Sequence, residues 1–243
     1  MSHYQQIQFC KILKKNFYKD NKISILEIGS YNVNGSLRDI FNNINKYVGL
    51  DLIKGPGVDK VYDGKNMPIN ECFDLCISCE CFEHNPHYLN NFLKMIEFTE
   101  NDGLVAFTCA TIGRAEHGTA DSDGEVSNSP GSMKKWNYYK NLTKKNFSNK
   151  IDLNKHFYKF MFFNNTISSD LYFVGIKSEK FSKEFLDFKN EILGKNSLVV
   201  DLQQNFHEKS LNKIKYLFKN IFPLLIGDFL SRKLQIKLKK IFL

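Results

Sequence analysis

The sequence predicts an α/β fold: a seven-stranded, mostly parallel sheet with an antiparallel last strand, flanked by helices and followed by a C-terminal helical tail. Three observations carry this. Short β-like apolar runs alternate with stretches of helical spacing up to about residue 110. The last two β-like runs, 157–163 and 170–177, are six residues apart. That is short enough for a hairpin, which makes the final pair antiparallel. From Ser178 onward the pattern is helical.

In order along the chain, residues 4–18 place Ile7, Phe9, Cys10, Leu13 and Phe17 on one helical face. Strands are expected at 23–28, closed by Gly29; at 47–50, ending in Asp51; at 58–62, ending in Asp63-Gly64; and at 73–78. A helix from Asn85-Pro86 to about Thr99 follows, since a first helical turn has no use for the N–H that proline lacks. Asn101-Asp102-Gly103 reads as a turn into a strand at 103–109. Residues 111–141 are rich in Gly, Ser, Asp and Asn and poor in aliphatics, the composition of a functional insert rather than of core. The tail reads as a helix at 211–222, a break at Pro223 and a helix from Leu224. There Leu234, Leu238, Ile241 and Phe242 stand among Arg232, Lys233, Lys237, Lys239 and Lys240.

A chain of 243 residues with 42% hydrophobic content suits one large domain, or one domain and an appendage. The division expected is 1–178 for the α/β domain with its insert, and 179–243 for a basic amphipathic extension. The longest apolar stretch, 221–230, contains Pro223 and Asp228, so no membrane-spanning helix is expected. The N-terminus lacks a signal-peptide core, and the six cysteines then read as reduced thiols in a cytoplasmic protein. From Lys209 onward there are nine basic residues and one acid, which accounts for the whole net charge of +8. The neutral body gives no general support for a nucleic-acid face. The apolar and basic tail has two open readings: packing on the body or a second copy, or contact with the inner face of a membrane.

In an open α/β sheet, ligands bind at the carboxyl ends of the strands. Those ends carry Glu27-Ile28-Gly29-Ser30, Asp51, Asp63-Gly64 and Ser78-Cys79-Glu80. Gly29 lets backbone approach a ligand, and Asp51, 22 residues later, is placed to accept from ribose hydroxyls. The loop Gly29-Ser30-Tyr31-Asn32-Val33-Asn34-Gly35-Ser36 is not G-x-G-x-x-G and offers no obvious pyrophosphate cradle. Asp63 suits an exocyclic adenine amine.

From Ile25 to about Thr111 the chain resembles the class I S-adenosylmethionine-dependent methyltransferases. It is similar to the small-molecule, type 11-like branch with D-(A/G)-x-x-(L/M)-P after strand three and an E-H pair after strand four. These appear as Asp63-Gly64-Lys65-Asn66-Met67-Pro68 and Glu83-His84. The run from Glu27 through Asn34-Gly35-Ser36-Leu37-Arg38, with Gly55-Pro56-Gly57-Val58-Asp59, is similar to a bacterial subgroup linked to surface-saccharide synthesis. The fold resemblance covers about residues 23–178. It departs from the family at Tyr31 and Val33, where the first loop usually has glycines. It implies a Rossmann-like methyltransferase fold and S-adenosylmethionine as cofactor. Carried over by position, Glu27 would sit near the methionine ammonium, and Gly29, Ser30 and Tyr31 would line the cofactor loop. Asp51 would bind ribose with Leu52 beside adenine, Asp63 and Gly64 would read adenine N6, and Ser78 and Cys79 would close the sulfonium side.

His84 and His117 are the candidate general bases, because a hydroxyl acceptor loses its proton as the methyl arrives. Bracing of the helix near Pro86 is the alternative for His84, and a solvated loop position for His117. Arg114 and Glu116, with Trp136, Tyr138 and Tyr139, are candidates for holding a polar or sugar-like acceptor; the aromatic residues would equally anchor the insert. A zinc site from Cys72, Cys76, Cys79, Cys81 and His84 conflicts with strand alternation, which turns Cys76 and Cys79 to opposite faces, and no metal is expected. The function implied is O-methylation of a small or saccharide-linked acceptor. A nucleotide-cofactor (NAD-type) oxidoreductase and a non-catalytic, membrane-docked cofactor binder are the other readings.

Overall fold

A computed structural model of the chain describes residues 3–19, 21–62, 66–122, 137–165, 168–194, 197 and 222–242. Seven strands form one sheet: β1 Ile23–Ile28, β2 Ile44–Asp51, β3 Lys60–Val61, β4 Phe73–Cys79, β5 Thr99–Ala110, β6 Lys159–Asn165 and β7 Asp170–Ile176. Their order across the sheet is β3-β2-β1-β4-β5-β7-β6. The first five run parallel to one another, and β7 runs antiparallel to both β5 and β6. This is the Rossmann-like methyltransferase fold expected from the sequence, with its reversal where the short β6–β7 connection requires one.

Strand alternation sends side chains to two cores. On one face lie α1 (Tyr4–Leu13), continued by a π-helical turn at Lys14–Tyr18, and α4 (Ser182–Leu193), with Phe9, Leu13, Phe17 and Phe188 packed on β1, β4 and β7. On the other, α2 (Tyr88–Glu97) and α3 (Lys144–Ser148) bury Phe92, Met95 and Phe147 against Phe107 and Phe173. Cys79 belongs to the first core and Cys76 to the second.

Three expectations are corrected. The Asn101-Asp102-Gly103 turn is part of β5: the strand starts at Thr99 and absorbs these residues beside a register irregularity opposite Phe73–Leu75. The third strand shrinks to two exposed residues at the sheet edge. The expected strand residue Asp59 instead accepts the Gly49 N–H at 2.7 Å and pairs with Arg38. In the tail, the helix expected from Leu224 onward is interrupted: Pro223 sits in the first turn of α5 (Phe222–Ile226), and the chain turns at Gly227, whose φ is +82°. The helix expected at 211–222 lies outside the described residues, apart from Phe222.

The final helix, α6 (Asp228–Phe242), docks on the body through both roots of the insert. Asn141 Nδ2 donates to Asp228 at 2.8 Å, and Arg232 Nη1 donates to Glu116 at 2.8 Å. Lys233 Nζ reaches Glu116 at 3.3 Å and Asp121 at 3.1 Å. Among the described residues, no helix is long and apolar enough to cross a membrane.

Candidate functional site

The carboxyl edge of the sheet gathers two adjoining groups of residues. The first surrounds a cavity of about 330 Å³, lined by Glu27, Gly29, Ser30 and Tyr31 after β1, by Cys79 at the end of β4, and by Gln6 from α1. A volume of this size falls within the range of small-ligand pockets. Gly29 has φ +85°, and a Cβ there would stand 2.5 Å from the Cβ of Cys81, so only glycine serves at this turn. The Ser30 hydroxyl is buried with no hydrogen-bond partner among the described residues, an orphan that a ligand would satisfy.

Glu27 is buried on the cavity floor and accepts the Tyr47 hydroxyl at 2.6 Å. Burial raises its pKa to about 7, against the partial opposition of that hydrogen bond. The Arg38 guanidinium lies 4.1 Å over the Tyr47 ring. Tyr47 and Arg38 were not among the candidates. Tyr47 was within reach of strand periodicity, since it stands two residues from Gly49, the registered neighbour of Glu27.

Asp51 ends β2, where its carboxylate accepts the N–H groups of Tyr31 at 3.0 Å and Leu52 at 2.6 Å. Burial raises its pKa, opposed by these amides. It therefore fixes the cavity loop to the end of β2, while Asp51 and Leu52 do not themselves line the cavity. Ser78 is also absent from the lining; its hydroxyl donates to the Ile28 carbonyl at 2.8 Å and joins β4 to β1 beneath the cavity. Asp63 and Gly64 lie outside the described residues, as does Trp136.

The second group follows β4. Glu80 adopts φ +51°, a left-handed conformation that is costly for a residue with a side chain. A single 3₁₀ turn, Phe82–His84, then presents Glu83 and His84. The insert brings His117 and Tyr139 to them: ring centroids are 5.0 Å apart for His84–His117, 5.2 Å for His84–Tyr139 and 5.1 Å for His117–Tyr139. The sheet scaffold and the insert thus bring both candidate histidines to one place. Burial lowers the pKa of both, so each imidazole is neutral and carries a lone pair near pH 7. The return strand of the insert is pinned by the Lys140 N–H on the Glu83 carbonyl at 2.9 Å.

Beside this group, Ala110 of β5 is registered with Asp170 of β7. Asp170 meets His3 Nε2 at 2.9 Å, and Arg114 at 3.5 Å. Burial opposes charge on His3, but Asp170 and Glu80 outweigh it and hold its pKa at about 10. Glu80 is buried, yet His3 draws its pKa to about 2. Glu83, fully buried beside Glu80, is driven up to about 8. Neither of its carboxylate oxygens has a hydrogen-bond partner on another described residue. Two expected acceptor residues are already engaged. Arg114 Nη1 donates to the Ser168 carbonyl at 2.6 Å, and Glu116 holds Arg232. Tyr138 is half-buried next to Tyr139.

No protein-family model and no curated protein matches the chain. Among solved structures it is similar to an S-adenosylmethionine-dependent methyltransferase from Clostridium acetobutylicum (13% identity, TM-score 0.35, 45% of this chain and 52% of that one). It is also similar to the CurJ carbon methyltransferase (12%, TM-score 0.49, 72% and 55%). A third is the N-methyltransferase NodS from Bradyrhizobium japonicum in complex with S-adenosyl-L-homocysteine (10%, TM-score 0.43, 73% and 88%). The chain spans about half the length of the first two, 52% and 55%. Nothing about activity follows from likenesses this distant.

Proposed function

We propose that this chain is an S-adenosylmethionine-dependent methyltransferase that methylates oxygen on a small or saccharide-linked acceptor. The observation that carries the reading is the cavity at the β1 and β4 ends. There a glycine in left-handed conformation, a buried acid and an orphaned serine hydroxyl face one space in a sheet of order 3-2-1-4-5-7-6. When bound, the cofactor would supply a methyl group already activated on sulfonium. Glu27 would receive the ammonium, Ser30 and the Gly29 backbone would hold the carboxylate side, and Cys79 would close the sulfonium side. Asp51 would set the loop through Tyr31 and offer its remaining lone pairs to the ribose, with Leu52 beside the adenine. Asp63 and Gly64 are assigned to the adenine amine on the sequence resemblance alone. His84 and His117 are assigned to the acceptor side, where their lone pairs would serve an incoming hydroxyl, with Tyr138 and Tyr139 as its aromatic wall; Trp136 is assigned to that wall on the sequence reading alone. Arg114 and Glu116 shape that wall from behind. The cytoplasm is assigned on the sequence reading alone, and peripheral contact of the tail with the inner face of a membrane is the use proposed for Leu225, Phe229 and Leu230, which α5 and α6 leave 73%, 61% and 59% exposed beside a basic helix.

Calorimetry with S-adenosylhomocysteine tests the cofactor. The wild-type chain should bind it, and Asp51→Ala should weaken binding by roughly tenfold to a hundredfold, the contribution of a charged hydrogen bond. Asp51→Asn, which keeps one acceptor oxygen for the loop, should fall between. Binding of reduced nicotinamide cofactor without any binding of S-adenosylhomocysteine would replace this reading with an oxidoreductase.

A further inference from the structure

We propose that Glu83, His84 and His117 form a binding site for one divalent transition-metal cation. One ligand-capable atom from each lies within 4.8 Å of the other two. The centre of such a triangle is at most about 2.8 Å from each corner, so adjustments of well under 1 Å bring all three to the 2.0–2.2 Å of a metal–nitrogen or metal–oxygen bond. Glu83 Oε1 and His84 Nε2 are 4.0 Å apart. That is too long for a hydrogen bond and a little wider than the roughly 3.3–3.4 Å between two ligand atoms at a tetrahedral ion, a gap that the same small adjustment closes.

The independent observation is Glu83 itself. It is 0% exposed, and both its oxygens lack a hydrogen-bond partner on another described residue. A buried carboxylate in that state is expensive unless a cation completes it. The protein's own cations nearby are committed elsewhere: His3 to Asp170 at 2.9 Å, and Arg114 to Ser168 and Asp170. The neighbouring His3–Glu80–Asp170 cluster also has metal-ligand residue types, but there His3 already supplies the positive charge. Around Glu83 no side chain of the described residues does so at hydrogen-bonding distance.

The support behind the histidine is of the kind metal sites use. The His117 Nδ1 lies 3.0 Å from the Ala115 carbonyl and 3.2 Å from the Tyr139 hydroxyl. Such outer partners orient a ligating imidazole and fix its tautomer. Two imidazoles and one carboxylate suit zinc, cobalt, iron or manganese better than magnesium or calcium, and leave coordination positions open. An acceptor oxygen would take one of them, and the ion, which then occupies the imidazole lone pairs, would acidify the hydroxyl in place of them; this use of the ion, though not its binding, rests on the methyl-transfer reading. The set is distinct from the cysteine cluster, whose Cys76 and Cys79 lie in opposite cores.

The test uses the full chain, stripped with chelator and titrated with Co²⁺ in the absence of cofactor and acceptor, so its outcome is independent of catalysis. One equivalent should bind and show weak visible d–d bands without the intense near-ultraviolet absorption of cobalt–thiolate bonds, and Zn²⁺ should displace it. Glu83→Gln and His117→Ala, each checked for folding by circular dichroism, should weaken Co²⁺ binding by at least about tenfold, the loss that removing even an outer partner can cause. Absence of binding, a thiolate band in the wild-type spectrum, binding of Mg²⁺ but not Co²⁺, or wild-type affinity in both folded variants would each overturn the site. Because the wild-type spectrum decides by itself, the proposal survives no escape through an unfolded variant. Loss of the metal site would leave S-adenosylhomocysteine binding to be judged on its own titration.

Discussion

Glu27 is a single carboxyl group whose position sets a measurable pH dependence. Its pKa is about 7 in the folded chain against 4.5 for the ordinary group, because burial disfavours the anion. Below about pH 4.5 the group is protonated in both folded and unfolded chains and carries no penalty. As pH rises through 7 the folded protein must ionise a buried acid, and stability is lost. The full loss is about 3 kcal/mol for a shift of this size. Glu27→Gln keeps an oxygen for the Tyr47 hydroxyl and has no charge to bury. Urea denaturation should therefore find variant and wild type nearly equal at pH 4, with the variant more stable by up to that amount at pH 8. A difference that does not change with pH would mean that Glu27 is solvated in the folded protein. The carboxyl itself was legible, as an acid ending a strand beside a glycine. Its acidity was not, because that depends on Tyr47 and on depth of burial, neither of which a linear motif records. The same limit hid His3 and Asp170, which are separated by nearly the whole sheet domain in sequence. Only the antiparallel hairpin hinted that β7 would begin where β5 ends.

At the scale of elements, the docking of α6 rests on a buried pair: the Arg232 and Glu116 side chains are 7% and 2% exposed. Removing one partner strands the other, and such losses run to about 3–5 kcal/mol, whereas replacing both by apolar groups of similar shape is often neutral. Arg232→Ala should lower the urea midpoint and speed hydrogen exchange at residues 114–122 and 137–142, the two roots of the insert. Arg232→Met with Glu116→Leu should recover most of the loss. A wild-type midpoint in Arg232→Ala would show that the helix does not dock. Six of the seven described strands were legible within three residues of each end; β5, which starts four residues early, was not. Periodicity failed where a residue serves a neighbour rather than its own strand: Asp59 leaves β3 to hold Gly49, and β5 begins inside a sequence with every sign of a turn. It failed again at Gly227, where the helix expected to run on from Leu224 is interrupted. The histidine pair was legible as two separate candidates. Their meeting was not, because it requires the insert to return onto Glu83.

For the whole molecule, the basic tail follows the neutral body in sequence and folds back to meet it at the insert. The exposed Leu225, Phe229 and Leu230 flank that meeting point. Full-length protein should co-sediment with anionic vesicles at low salt and release them near 1 M salt, where screening shrinks to about 3 Å. Changing these three residues to serine should remove binding and leave S-adenosylhomocysteine affinity intact. Indifference of the full chain to vesicles at low salt would end the membrane reading. The Arg232–Glu116 contact, finally, has a consequence for biosynthesis. Glu116 leaves the ribosome 116 residues before its partner, which at 5–20 residues per second is roughly 6–23 s. During that interval β6 and β7 are made and complete the described sheet, yet the wall formed by residues 114–122 has no counter-charge to settle against. A nascent chain arrested in the tail, or one clipped there by a protease, would therefore be a folded sheet with an unfinished entrance, and the arrival of α6 decides whether that wall ever settles.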